Sequence, residues 1–201
     1  MKTQLNIRFM VLVGLSLAIG IWRILTATME SSEWSTFSPI GALALFGGAY
    51  FSKRSASYLF PILVLLISDL VLMNSIYSQY RSGFLYDSWY WTYGSFVVMV
   101  AIGELFKNKI SFKNVVLGCL GGGIAHFVIS NFGVWLNGCT NVMTGLPYPH
   151  TFMGMVNCYI QAIPYFYTLL LGNFVFSAVL FGGFELAKTR FGVLRGETIR
   201  S

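Results

Sequence analysis

Long apolar stretches alternate with short polar stretches along the chain, and each long apolar stretch carries at most one charged residue. Six of them approach the length of a membrane span, which takes about 20 residues of α-helix; they cover about residues 9–25, 38–52, 58–73, 89–106, 115–136 and 164–187. The second is the shortest, with about 14 residues from position 38 to position 51. The pattern predicts an all-α, polytopic membrane protein, whose six-transmembrane-helix bundle forms a single integral membrane domain over residues 1–201.

The composition supports the same class. Hydrophobic residues make up 56% of the chain and charged residues only 10%, whereas about a quarter of the residues of a soluble domain are charged. The polar segments are short, which leaves no room for a separate soluble domain. The net charge of +6 could suggest nucleic acid, but the basic residues lie in short loops and in the tail. Membrane topology explains that placement better, and we expect no nucleic-acid partner.

The distribution of lysine and arginine predicts the orientation of the bundle, because positive charges favour the cytoplasmic side. With six spans, eleven of the thirteen basic residues fall on one side, and only Arg23 and Arg81 fall on the other. Both termini are therefore predicted to be cytoplasmic. The first apolar stretch could also be a signal peptide. Trp22 and Arg23 at its end suit an interfacial anchor and favour a retained span.

Specific polar chemistry is concentrated between the fifth and sixth spans, at residues 137–163. This orientation places the segment on the outer side, and its length is typical of a lid or binding element. Residues 151–162 are amphipathic enough for a short surface helix, with Thr151 as its N-cap. Pro164 is expected to separate that helix from the last span. The segment is thus predicted to be an outer lid loop over a cavity at the outer ends of the spans.

Three kinds of chemistry come into question for this lid: a disulfide, a metal site and catalysis. Cys139 and Cys158 could form a disulfide at its base, which an oxidising outer compartment permits. With His150 they are the only convergent metal ligands, but their spacing matches no zinc pattern. Neither GxSxG nor HExxH occurs in the chain, and a nucleotide-binding GxxxxGK[ST] loop is absent as well. We therefore expect that the chain is not an enzyme and binds neither a metal nor a cofactor. We also expect that uphill transport needs another source of energy.

Polar and aromatic groups in the outer half of the bundle are the candidates for contact with a small ligand. The predicted substrate-binding residues are Asp69, His126, Asn131, Trp135, Asn157, Tyr159 and Gln161. A carboxylate or imidazole inside a span usually faces the bundle interior or a watery cavity. For Asp69 the alternative is a buried structural cap, and for His126 it is a structural hydrogen-bond donor.

Small residues in the second span allow neighbouring helices to approach closely. Gly41, Ala44 and Gly48 are the members predicted to pack against a partner helix. Two alternatives stay open: packing inside this bundle, or a docking face for another membrane subunit. In the third span, Pro61 is predicted to lie in the first turn, where its missing N–H costs little.

Four segments resemble a family of uncharacterised bacterial transport proteins: SPIGALALFGGAYF (38–51), LISDL (66–70), NFGVWL (131–136) and YPHTFMGMVNCYIQAIPYFYTLLLGN (148–173). That family is itself similar to the substrate-binding S components of energy-coupling factor transporters. The resemblance implies capture of a vitamin-like or other small micronutrient under outer loops, at residues 26–37 and 137–161. It further implies a place in the cytoplasmic (inner) membrane of a bacterium and uptake through a transmembrane coupling subunit with ATPases.

S components commonly present an AxxxA-like face on their first helix for coupling, and here the first span offers Gly14 with Ala18 instead. The alternative is a non-catalytic structural or assembly subunit of a larger membrane protein complex. A substrate-binding protein predicts an enclosed outward cavity, whereas such a subunit predicts a filled interior. In both cases the lipid bilayer surrounds the chain, and only the first case adds a small-molecule substrate.

Overall fold

The computed structural model describes residues 7–27, 36–107, 109–141 and 143–195. Its regular elements are α-helices joined by short loops, with a few single turns of other helical types. The helices are α1 (Ile7–Thr26), α2 (Ile40–Tyr50), α3 (Arg54–Met73), α4 (Trp89–Leu105), α5 (Phe112–Leu136), α6 (Phe152–Ser177) and α7 (Gly183–Arg190). The predicted all-α class is confirmed, and each predicted span corresponds to a helix. The predicted outer loop 26–37 lies largely outside the described residues.

Four helical segments are long and apolar enough to cross a membrane, which indicates a membrane protein. They are Ile7–Thr26, Arg54–Met73, Phe112–Leu136 and Phe152–Arg190. The other two predicted spans are shorter helices, since α2 has 11 residues and α4 has 17.

The short helix α2 lies at the centre of the bundle, and all 11 of its residues are buried. It packs against α4 most extensively, and also against α1, α3, α5 and α6. A helix that is apolar on every side has no polar face that could be exposed to water, so burial on all sides is expected. Gly41, Ala44 and Gly48 are thus packed inside this bundle. The chain's own helices cover α2 on the sides where another subunit was considered.

Glycines set the distance between α2 and α4. A Cβ atom added to Gly48 would stand 2.1 Å from the Val100 carbonyl oxygen, and one added to Gly103 would stand 2.2 Å from that of Leu45. Each helix thus contributes a glycine at the point where the other backbone comes closest. This reciprocal contact uses the small residues that membrane helices employ for close packing.

The prediction that Pro61 lies in the first turn of its helix is wrong, because α3 begins earlier, at Arg54. The proline sits inside the helix, where it removes one backbone hydrogen bond. Its ring packs against α2, with Cγ 2.5 Å from the position that a Cβ on Gly47 would occupy. Because Gly47 has no side chain, the proline ring fits between the two helices.

Pro164 does not separate two helices either, since α6 runs without a break from Phe152 to Ser177. The N-cap is confirmed: the Thr151 hydroxyl accepts a hydrogen bond from the Gly154 amide at 3.1 Å. The loop before α6 is accordingly shorter than the predicted outer lid loop and ends at residue 151, with residues 152–163 forming the first turns of α6. At its other end α6 continues through a π-helical turn, Ala178–Gly182, into α7.

Candidate functional site

A cleft of about 150 Å³ lies between α5 and α6, beside the segment that leads into α2. Its lining combines aromatic rings with uncharged polar groups. The lining residues are Thr36, His126, Phe127, Ser130, Asn131, Ala162, Tyr165, Phe166 and Leu169. On α5 they form two adjacent pairs, residues 126–127 and 130–131, that lie four residues apart, which places them on one face of the helix. Apolar walls with a few convergent polar groups are the usual composition of a small-molecule site.

His126 is held in one orientation by α4. Its Nδ1 lies 2.6 Å from the Ser95 hydroxyl oxygen, and its ring packs on Phe96 with centroids 4.9 Å apart. The Ser95 hydroxyl donates its single hydrogen to the Thr92 carbonyl at 2.6 Å, so it must accept a hydrogen from Nδ1. In the neutral ring the other nitrogen, Nε2, is then a hydrogen-bond acceptor. Nε2 makes no hydrogen bond to the described residues, so it is left for a ligand.

Asn131 supplies a second acceptor to the same cleft. Its Nδ2 donates to the Phe127 carbonyl at 2.7 Å, which fixes the side chain along α5. Within the described part of the chain, its Oδ1 has no donor. On the opposite side, the Thr36 hydroxyl donates to the Tyr165 carbonyl at 2.8 Å and ties the segment before α2 to α6. Two residues of the cleft lining, His126 and Asn131, therefore each carry one acceptor without a donor among the described residues.

Asp69 lies elsewhere, in a buried ion pair. Its Oδ1 is 2.6 Å from an Arg23 guanidinium nitrogen, and its side chain is only 2% exposed. The Tyr93 hydroxyl donates to Oδ2 at 2.9 Å, and a second Arg23 nitrogen donates to the Ser68 hydroxyl at 2.5 Å. This network joins α1, α3 and α4. Asp69 thus takes the structural role that was its alternative, and its carboxylate is fully committed to protein groups.

Of the other predicted binding residues, three make hydrogen bonds to protein groups and one is exposed. The Trp135 indole N–H donates to the Pro149 carbonyl at 3.0 Å, and the Tyr159 hydroxyl donates to the Val128 carbonyl at 2.7 Å. Gln161 accepts from the Tyr148 hydroxyl at 2.9 Å. Asn157 is exposed and lines none of the cavities described here. Of the seven predicted residues, only His126 and Asn131 meet in the cleft.

Tyr148 anchors the loop from residue 137 to residue 151 onto α6. Its side chain is only 6% exposed, and its amide donates to the Cys139 carbonyl at 3.1 Å. Burial, assisted by the neighbouring Cys158, Tyr165 and Cys139, raises the pKa of its phenol above the ordinary value. The hydroxyl consequently stays protonated and keeps donating to Gln161.

The predicted disulfide is not formed in the structure, where Cys139 and Cys158 are both free thiols. The Cys139 sulfur lies 3.2 Å from the Ser88 hydroxyl, and the Cys158 thiol donates to the Asn131 carbonyl at 3.6 Å. Each sulfur therefore has a polar neighbour of its own. Among the described residues, no cluster of three histidine, cysteine or acidic side chains could hold a metal ion.

Several cleft residues escaped prediction from the sequence, although a signal for some of them was present. Ser130 follows His126 by four residues, and Phe127 precedes Asn131 by four, so each shares a helix face with a predicted residue. Arg23 also carried a signal: with Asp69 it makes a pair of opposite charges near the same ends of two spans. Thr36 carried no signal, because its contact with α6 depends on tertiary packing.

Comparisons with known proteins give one match. No curated protein and no solved structure matches the chain. A family model matches residues 3–194, which is nearly the whole sequence. The chain therefore belongs to this family, described as a family of unknown function (DUF6580).

Proposed function

We propose that this chain is the substrate-binding subunit of a membrane transport system and captures a vitamin-like or other small micronutrient from the outer side. One observation carries the proposal: His126 and Asn131, whose Nε2 and Oδ1 have no hydrogen-bond partner among the described residues, line one cleft. A ligand with hydrogen-bond donors would pair with both acceptors. The chain binds and does not catalyse in this proposal.

The proposed topology has six membrane crossings with both termini in the cytoplasm of a bacterium, because eleven of thirteen basic residues then share that side. In this orientation α5 runs outward from Phe112. With a rise of about 1.5 Å per residue, His126 stands roughly 21 Å along a helix of roughly 37 Å, and Asn131 roughly 28 Å. The cleft therefore belongs to the outer half of the bundle, on the side from which a nutrient arrives.

The size of the cleft favours a small ligand. Pockets for drug-sized ligands usually measure about 300–1,000 Å³, and the cleft has about 150 Å³. A compact molecule with hydroxyl or amino groups fits this volume better than a bulky vitamin does. The rings of Phe127, Tyr165 and Phe166 would cover its apolar parts.

A separate ATP-driven coupling module would supply the energy for uptake. The side of α1 that faces away from the bundle is the surface proposed for a transmembrane coupling subunit, since Gly14 and Ala18 are exposed there. No atom would lie within 4 Å of a Cβ at Gly14, so another helix could approach closely at this position.

One observation favours a second candidate, the structural or assembly subunit. The centre of the bundle is filled by α2, whose 11 residues are all buried. A chain with a filled centre and an exposed small-residue face on α1 could act by packing against a larger membrane complex.

Native mass spectrometry of the purified protein, followed by identification of small molecules after denaturation, separates the two candidates. We expect a stoichiometric polar metabolite in the wild type. Asn131→Leu should lose it, because this change removes the acceptor and breaks only one hydrogen bond within α5. Asn157→Leu is the matched control and should retain it. An empty wild type that copurifies with membrane partners would instead support the structural subunit.

A further inference from the structure

Asn173 on α6 is the most unusual polar residue of the interior. It is fully buried, and neither its Oδ1 nor its Nδ2 has a hydrogen-bond partner among the described residues. Buried amide groups are nearly always paired, and an unpaired one costs free energy. A leucine of similar size would avoid that cost, so packing alone does not explain an asparagine here.

Glycines on two neighbouring helices make room for this amide. A Cβ on Gly41 of α2 would stand 2.0 Å from Asn173 Oδ1, and a Cβ on Gly123 of α5 would stand 3.5 Å from Nδ2. The same Cβ on Gly123 would stand 2.4 Å from the Leu170 side chain. The amide thus lies where α2, α5 and α6 meet, in a layer that is closely packed around it because the two glycines carry no side chains.

The layer separates two cavities on the same pair of helices. One is the cleft described above. The other is a groove of about 530 Å³ nearer the start of α5, with Cys119 of α5 and Phe174 and Ser177 of α6 in its lining. The Cys119 thiol donates to the Asn173 carbonyl at 3.5 Å and to the Ser177 hydroxyl at 3.3 Å. Asn173 is therefore connected directly to the lining of the groove.

The distance between the two cavities is short. On α6 the lining changes from Leu169 in the cleft to Phe174 in the groove, and on α5 from His126 to Cys119. These steps of five and seven residues correspond to roughly 7.5 Å and 10.5 Å along the helices. Between one and two helical turns separate cleft from groove along α6, and Asn173 lies in this stretch, next to Phe174 of the groove.

We propose that the α5–α6 seam is a permeation route for a small uncharged polar solute, with the Asn173 amide as its constriction. The amide supplies a donor and an acceptor at the narrowest point, where a passing solute replaces water contacts. The lining of the cleft and the constriction is uncharged. The groove contains one ionic side chain, Glu185, and Lys188 neutralises it at 2.9 Å. This composition favours neutral solutes and opposes ions.

Flux into proteoliposomes tests the route, with glycerol and urea as probes and stopped-flow light scattering as the readout. We expect the wild type to take up at least one probe faster than empty liposomes do. Asn173→Leu should return the flux to the level of empty liposomes, whereas the same change at the exposed Asn157 should leave it at the wild-type level. Leu170→Ala, which removes bulk beside Gly123, should increase the flux of the neutral probe without conduction of potassium ions, whereas leakage from a misfolded protein would pass both.

Three results would overturn the route: wild-type flux equal to that of empty liposomes, unchanged flux in Asn173→Leu, or unchanged flux in Leu170→Ala. Conduction of potassium ions would equally contradict a path for neutral solutes. The route does not depend on the proposed capture of a micronutrient. A wild type that retains a ligand but passes neither probe would leave that proposal standing and remove this one.

Discussion

Breaking the ion pair between Arg23 and Asp69 should destabilise the protein strongly, because both charges are withdrawn from water. The Asp69 side chain is 2% exposed and that of Arg23 is 21% exposed, with 2.6 Å between the charged atoms. Removing one member of a buried pair costs about 3–5 kcal/mol, since the other charge stays buried without compensation. We expect about 3 kcal/mol for Asp69→Leu, near the lower limit, because Arg23 retains some contact with water.

The assay is a double-mutant cycle read by thermal unfolding in one detergent. For a chain of this size, 1 kcal/mol shifts the melting temperature by about 2–4 °C, so Asp69→Leu should lower it by about 6–12 °C. Arg23→Met should have a similar effect. The double variant should recover most of the loss, because apolar residues of similar volume can replace a buried ion pair at little cost.

The matched control is Arg54→Met. Arg54 is 81% exposed and lies 3.5 Å from Glu104, and exposed pairs contribute only about 0–1 kcal/mol. Its melting temperature should therefore stay close to that of the wild type. The explanation would be refuted if the losses in Arg23→Met and Asp69→Leu were additive in the double variant. Additivity would mean that the two charges do not interact.

Three further predictions concern packing and the loop before α6. Gly48→Ala should destabilise the protein by about 1–3 kcal/mol, because the new Cβ would meet the α4 backbone. In the control Gly14→Ala, the new Cβ meets no atom within 4 Å, so the melting temperature should not fall. Tyr148→Phe should cost about 1 kcal/mol, the value of one hydrogen bond, and should speed hydrogen exchange in the loop; unchanged exchange would mean that the Gln161 contact does not hold it. Thr151→Ala should also cost about 1 kcal/mol through loss of the N-cap, and an unchanged melting temperature would contradict that role.

Much of the fold follows from local sequence. The apolar stretches predict where the helices lie, and Thr151 predicts the start of α6 because its hydroxyl can accept a backbone N–H nearby in the chain. The prolines show the limit of such local rules. Pro61 and Pro164 both lie inside helices, since packing by neighbouring helices can offset one lost hydrogen bond in a membrane protein.

The candidate site is less accessible from sequence. His126 and Asn131 stand out because polar residues are rare in apolar spans. Their partners could not be predicted in the same way, because Ser95 and Thr36 reach the site through the packing of α4 and of the segment before α2. Asn173 escaped notice as well. Its importance depends on the absence of a hydrogen-bond partner, which only the arrangement of three helices reveals.

The position of α2 has a consequence for how the protein assembles during synthesis. With 11 residues, α2 is roughly 16 Å long, about half the thickness of the hydrocarbon core of a bilayer. Alone in lipid, it would leave polar backbone groups at its ends without partners. Its main neighbours, α4, α3 and α6, are all translated after it, so α2 cannot take its final place until those helices have entered the membrane. A chain that is terminated after α3 therefore lacks a stable native arrangement. The helices translated last complete the folding of α2.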